Sequence, residues 1–301
     1  SITSRLEDQT TALMRDNLKT ATPWVIKTAN ISFLLDYAIN CSGTDRNFFL
    51  ASHLSNLLKV SEKVTVRKMA GRSLVGVASK LPSDQVNELV IELAKGLEIG
   101  DYQFSKYIPE YLGRLGMFLL PGELDEFVDE LGGMLDSNNF RISSVALDTI
   151  GEMLQDSFSY KYREEPDSSG LVKREKIMLG YLLKGLSCYN EEVSRKALLI
   201  IGQYIFGSGK LTLEEKYLYY RYFYKKLLTL LKTDAEGDIN FYNNAAALNH
   251  IYRFVTDYSF LHGEIKLPQN KRIAFFPGTF DPFSSGHKGI VDAIRNEGFE
   301  T

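Results

Sequence analysis

The sequence repeats itself at a spacing of 38 residues, and this repeat constrains the fold more than any other feature. The segments 86–98 and 124–136 carry apolar residues at matching positions when one is shifted onto the other. Their spacing of three or four residues is typical of a helix that buries one face. The matching pairs are Val86/Leu124, Leu89/Phe127, Val90/Val128, Leu93/Leu131 and Leu97/Leu135. A third copy contains Met178, Leu179, Leu182 and Leu186, after a polar insertion at about 156–171.

A second helix with small residues is predicted next to each copy. The segment 140–151 matches 191–202, with Ala146 over Ala197 and Gly151 over Gly202, and 64–78 has the same character around Val66-Arg67 and Ala70. Small residues allow two helices to approach closely, as stacked layers require. This two-helix unit resembles HEAT repeats. We therefore predict an all-α fold, a HEAT-like α-solenoid over residues 1–262 with about five units between 47 and 258.

Composition narrows the function classes. Hydrophobic residues make up 44% and charged residues 24%, so a buried core is expected. The net charge of −3 weakens the case for a nucleic-acid binder. The two cysteines, Cys41 and Cys188, are too few for a disulfide framework and have no metal-ligand spacing. So few cysteines favour a reduced, intracellular compartment. Since no apolar run is long enough to cross a bilayer either, we expect a cytoplasmic chain that binds no membrane.

Aromatic and basic residues alternate in the segment 216–226, Lys-Tyr-Leu-Tyr-Tyr-Arg-Tyr-Phe-Tyr-Lys-Lys. Such a mixture can stack bases and neutralise phosphates. On a helix, however, Tyr217, Tyr220 and Tyr224 share one face, while Tyr219, Tyr222 and Phe223 point elsewhere. This pattern favours a helix packed on two sides, within the core or between domains. A protein partner and nucleic acid remain the alternatives.

The helical pattern ends near residue 262, and a strand–turn–helix pattern follows. Residues 273–276 form a short apolar run that suits a buried parallel strand. Pro277-Gly278 interrupts it, and the spacing over 288–295 predicts a helix. We therefore place the start of a second domain at 268–301. The chain ends 14 residues after His287, so this domain is expected to be truncated.

Residues 278–287, Gly-Thr-Phe-Asp-Pro-Phe-Ser-Ser-Gly-His, resemble the first signature of the nucleotidylyltransferase superfamily. Its members include nicotinate-nucleotide adenylyltransferases and cytidylyltransferases. The resemblance implies the opening βα unit of a Rossmann-like domain. It also implies transfer of a nucleotidyl, foremost an adenylyl, group from a nucleoside triphosphate to a phosphomonoester, with release of pyrophosphate. ATP, or another nucleoside triphosphate, and Mg²⁺ are implied in the same way.

The resemblance also implies roles for individual residues. His287 and Ser284 would be catalytic, with Ser284 standing where the family has His or Thr. Nucleotide phosphates would lie against Gly278, Thr279, Phe280 and Gly286. No protein ligand to a metal is implied. Because the rest of the domain is missing, the chain as it stands is expected to be inactive.

Two function classes follow from these observations. In the first, the chain is part of a nucleotidyltransferase that binds its nucleotide through an intact C-terminal domain, and the helical region is a regulatory or assembly arm. In the second, the chain is a non-enzymatic HEAT-repeat scaffold that binds a protein partner along the solenoid. Neither class involves nucleic acid.

Overall fold

The protein is all-α wherever the structure describes it. The computed structural model describes residues 2–19, 23–41, 44–99, 101–160, 168–233, 239–262 and 285–298, and no strand occurs among them. The chain divides into two compact units, Ser1–Leu179 and Gly180–Thr301.

The first unit contains nine helices in its described residues, and a tenth, α10 (Ser168–Leu186), runs across the boundary between the units. The nine are α1 (Ile2–Lys19), α2 (Trp24–Cys41), α3 (Thr44–Val60), α4 (Val64–Ala78), α5 (Ser83–Leu97), α6 (Tyr102–Ser105), α7 (Pro109–Gly116), α8 (Pro121–Met134) and α9 (Phe140–Tyr160).

The described residues of the second unit form four further helices. They are α11 (Glu191–Ile200), which continues as the π-helical segment Ile201–Phe206, α12 (Leu213–Thr233), α13 (Ile239–His262) and α14 (Ser285–Asn296).

Helices of the first unit pack in chain order. The helix α3 packs on α4, while α7 and α8 both pack on α9. The first helices form pairs, α1 with α2, α3 with α4 and α5 with α7. Helices at the same place in successive pairs also touch one another, namely α1 and α3, α3 and α5, α2 and α4, and α4 and α7. Each apolar face is therefore covered both by the helix next to it in the pair and by the following pair.

The predicted repeat positions form the core of this packing. Nine of the ten residues paired at the 38-residue spacing are buried on α5 and α8, and only Leu135, just after α8, is half-buried. The third copy is buried as well, since Met178, Leu179, Leu182 and Leu186 all lie in the core. The prediction of helices with one buried face is confirmed at these positions.

Within the predicted polar insertion at 156–171, the described residues 156–160 and 168–171 are helical. The helix α9 continues to Tyr160 and α10 begins at Ser168, which leaves only 161–167 outside the described residues. The physical reason is Phe158, whose side chain is fully buried. Burying an aromatic ring of this size favours continuation of the helix past residue 158.

A buried arginine joins the turn before α4 to α6. The guanidinium of Arg67 donates to the carbonyl oxygens of Ser61 and, at 3.2 Å, Phe104. It also lies 4.3 Å from the centre of the Phe104 ring. Burial lowers the pKa of Arg67, and the neighbouring Tyr107 and Asp101 act in the opposite direction. Hydrogen bonds to two carbonyls compensate for removing this cation from water.

The first turn of α8 is tied to that of α5 by one carboxylate. An oxygen of Glu123 accepts from the backbone N–H of Leu120 at 2.9 Å and from the Ser83 hydroxyl at 2.8 Å. Pro121 occupies the first turn of α8, where its missing N–H costs nothing. The two helices that carry the 38-residue repeat therefore begin side by side.

The contact between α7 and α9 depends on the absence of a side chain at Gly113. A Cβ there would lie 2.7 Å from the Cβ of Glu152 and 3.3 Å from the backbone nitrogen of Met153. Gly133 on α8 is the matched control, because a Cβ there would meet nothing within 4 Å.

We predict that Gly113→Ala destabilises the protein by about 1–3 kcal/mol, since the backbone of α9 must move to admit the methyl group. Gly133→Ala should raise the unfolding free energy by up to about 1 kcal/mol through helix propensity. Urea denaturation followed by circular dichroism measures both. Equal effects of the two substitutions would contradict the close approach of α7 and α9.

Candidate interaction surface

The helix α12 presents one face to the core and a different, mixed face to solvent. It begins with a capping box, in which the Glu215 carboxylate accepts from the Thr212 backbone at 2.8 Å and the Thr212 hydroxyl accepts from the Glu215 backbone at 3.2 Å. Its inner face consists of Tyr219, Phe223 and Leu227, all of which are buried. The helix α12 packs on α13 and contacts the π-helical segment Ile201–Phe206.

Three tyrosines form a stacked row beside the inner face. The ring centres of Tyr217 and Tyr220 lie 6.0 Å apart, and those of Tyr220 and Tyr224 lie 5.5 Å apart, with planes inclined by 28° and 30°. Burial, and then the neighbouring phenols of Tyr224, Tyr217 and Tyr252, raise the pKa of Tyr220 above its ordinary value. The predicted shared face of Tyr217, Tyr220 and Tyr224 is confirmed.

Exposed cations flank this row of rings. Arg221 follows Tyr217 by four residues and precedes Tyr224 by three, so it shares their side of the helix, and Lys225 follows one turn later. Both are exposed, and neither forms an ion pair within the described part of the chain. Leu218 lies on the same exposed stripe with 62% of its surface accessible. We call Tyr217, Leu218, Tyr220, Arg221, Tyr224 and Lys225 the α12 face.

Beyond the first turn of α12, which holds the exposed Glu214, the charged side chains of the helix are all basic. Between residues 216 and 233 the chain has five basic residues and no acidic residue, although its net charge is −3. The nearest carboxylates in sequence are Glu215, which forms the capping box, and Asp234. Sequence reasoning singled out the aromatic and basic mixture but missed the exposure of Leu218. The absence of acidic residues was the signal that could have identified the face.

Two cavities within the described residues of the first unit are each about the size of one water molecule. Each has a volume of about 20 Å³. One of them contains the buried hydroxyl of Ser157, beside Arg174, and this hydroxyl has no hydrogen-bond partner among the residues that the structure describes. A site for a small metabolite needs about 300 Å³ or more, so neither cavity suits a nucleotide.

The predicted catalytic and phosphate-binding residues are only partly described. Gly278, Thr279, Phe280 and Ser284, like the predicted strand at 273–276, lie outside the described residues. Gly286 and His287 lie in the first turn of α14, where Gly286 is exposed and His287 half-buried. Of the six predicted residues the structure describes two, Gly286 and His287, and these are neighbours in sequence.

The comparisons with known proteins identify no family. No protein-family model matches the chain, and no curated protein matches it either. Two crystal structures of engineered proteins from the Northeast Structural Genomics Consortium are similar to it at 16% and 17% identity. They cover 80% and 82% of this chain, and 97% and 59% of their own chains. The TM-scores are 0.31 and 0.32, which are too low to indicate a shared fold.

The resemblance to nucleotidylyltransferases is wrong. No family model matches, and the described residues contain no strand that could belong to a βα unit. The helix α14 gives the physical reason. A helix that covers a parallel sheet buries its apolar stripe, but α14 has no buried residue, and Ile290 is 45% exposed. The nucleotidyltransferase fold with its ATP-binding site is therefore not supported, whereas adenylyl transfer itself stays a prediction that the described residues do not test.

The predicted cofactors depended on that resemblance alone. No group of three or more His, Cys, Asp and Glu side chains that could hold a metal occurs in the described residues. Mg²⁺ and ATP therefore stay untested expectations. Over the described ranges, no helix is both long enough and apolar enough to cross a membrane.

The raised pKa of Tyr220 gives a testable pH dependence. The folded protein holds this proton above pH 10, where an unfolded tyrosine loses its proton. The contribution of protonated Tyr220 to the free energy of unfolding is therefore fully present below about pH 10 and is lost as the pH rises towards the pKa of Tyr220 in the folded state. We predict that Tyr220→Phe loses less unfolding free energy between about pH 9 and 11 than the wild type.

Urea unfolding at several pH values measures this difference. Tyr189→Phe, at a position that is 76% exposed, controls for the loss of one phenol. A Tyr220→Phe variant with the same alkaline loss as the wild type would contradict the burial of Tyr220 among its tyrosine neighbours.

Proposed function

We propose that this chain is a HEAT-like helical-repeat scaffold that binds a protein partner, and that the α12 face is part of the binding surface. Support for a repeat scaffold comes from the first unit, in which helix pairs pack in chain order and equivalent helices of successive pairs touch. In such a protein each repeat contacts its neighbours, and the outer faces of the helices remain available for a partner.

The observation that carries the binding proposal is the composition and exposure of the α12 face. A largely exposed leucine lies beside two exposed cations and a row of tyrosines. Tyrosine and arginine supply a large share of the binding energy in protein interfaces, and an apolar anchor at their centre is typical.

The proposal is tested by placing a photo-crosslinking residue, p-benzoylphenylalanine, at Leu218 of the full chain in the cells that naturally produce it. Leu13 is the matched control, since it is 63% exposed on α1 and lies outside the α12 face. We expect a discrete protein adduct from position 218 that is absent from position 13.

Two results together would identify a partner rather than a background protein. The adduct should disappear when Tyr217 and Tyr224 are also changed to alanine, while circular dichroism confirms that the helices persist. Identical adduct patterns from positions 218 and 13 would contradict a binding surface at the α12 face.

A further inference from the structure

The cations of the α12 face lack the carboxylate neighbours that a solvated helix face normally provides. Exposed helices commonly intersperse both signs, with Glu and Lys three or four residues apart. Elsewhere in this protein that arrangement occurs, as in Arg114 with Glu110 at 3.2 Å and Lys95 with Glu92 at 3.2 Å. On α12, by contrast, no acidic residue follows Glu215 before the helix ends.

We infer that the α12 face binds an acidic protein segment. Asp and Glu side chains of that segment pair with Arg221 and Lys225, and an apolar side chain of the same segment packs against Leu218. The inference rests on the proposed function and names the chemistry of the partner. Charge complementarity supports it, because these two cations have no ion-pair partner among the described residues. One helical turn separates Arg221 from Lys225, so two acidic residues one turn apart on a partner helix would match both.

A protein segment fits this face better than single-stranded nucleic acid. Bases bind by stacking on open aromatic faces. Here Tyr217, Tyr220 and Tyr224 stack on one another at 5.5–6.0 Å, which leaves little ring face for a base between them. The net charge of −3 also opposes long-range attraction of a phosphate backbone. Leu218, in contrast, offers an apolar contact that phosphates and sugars cannot use.

The test measures fluorescence anisotropy of a labelled helical peptide of about 20 residues, with Glu or Asp one turn apart beside a leucine stripe. A second peptide replaces each acidic residue with lysine. The full-length chain should bind the acidic peptide and not the basic one, and raising NaCl from about 0.05 to about 0.5 M should weaken the binding.

Charge reversal locates the site. Arg221→Glu with Lys225→Glu should reduce affinity for the acidic peptide about tenfold or more, since two exposed pairs are replaced by repulsion. Lys173→Glu with Lys176→Glu is the matched control, because it makes the same change in net charge at two exposed lysines on α10. A second variant, Arg221→Gln with Lys225→Gln, removes the charges without reversing them and should weaken binding in the same direction.

Several results would overturn the inference. They are equal binding of the acidic and basic peptides, equal loss in the α12 and α10 variants, and tighter binding of an oligothymidylate of equal charge. An outcome in which Leu218 still yields a protein adduct but charge reversal has no effect would refute the acidic partner alone. Absence of both the adduct and peptide binding would refute the proposed function as well.

Discussion

An amphipathic helix of this protein can bury its apolar face only against a neighbouring helix, and the described fold depends on this constraint. The first unit satisfies it by packing pairs in chain order, so that α4 lies against both α3 and α7. The closest approaches occur where side chains are absent or small, as at Gly113, where any added methyl group would meet the backbone of α9. The buried Arg67 secures the turn before α4 through carbonyl groups.

The sequence predicted the helices of the repeat because the signal was periodic and long. Leu93 and Leu131 recur at the same place in two helices, and both are buried. The end of α9 was not predicted, because polar residues around Phe158 hid the one ring that extends the helix into the core. Local polarity alone does not predict where a helix ends when a single large side chain near that end can be buried.

For the C-terminal segment 268–301 the predicted family was wrong although the local sequence signal was clear. Ten residues at 278–287 resembled a signature in order, yet a signature of that length does not specify the sheet that must surround it. The helix α14 buries none of its residues, and the parts of the chain that the structure describes contain no sheet to cover it. The α12 face could be predicted only in part, because exposure of Leu218 depends on how α12 rotates against α13.

Stability in the first unit is shared between neighbouring helix pairs, and a chain that starts at Thr44, without the first pair, shows whether this is so. Circular dichroism of the shortened chain should show the ellipticity per residue retained and a cooperative melt at a modestly lower temperature, because the remaining pairs still cover one another. Loss of the cooperative transition in the shortened chain would contradict a repeat scaffold and would indicate one indivisible core.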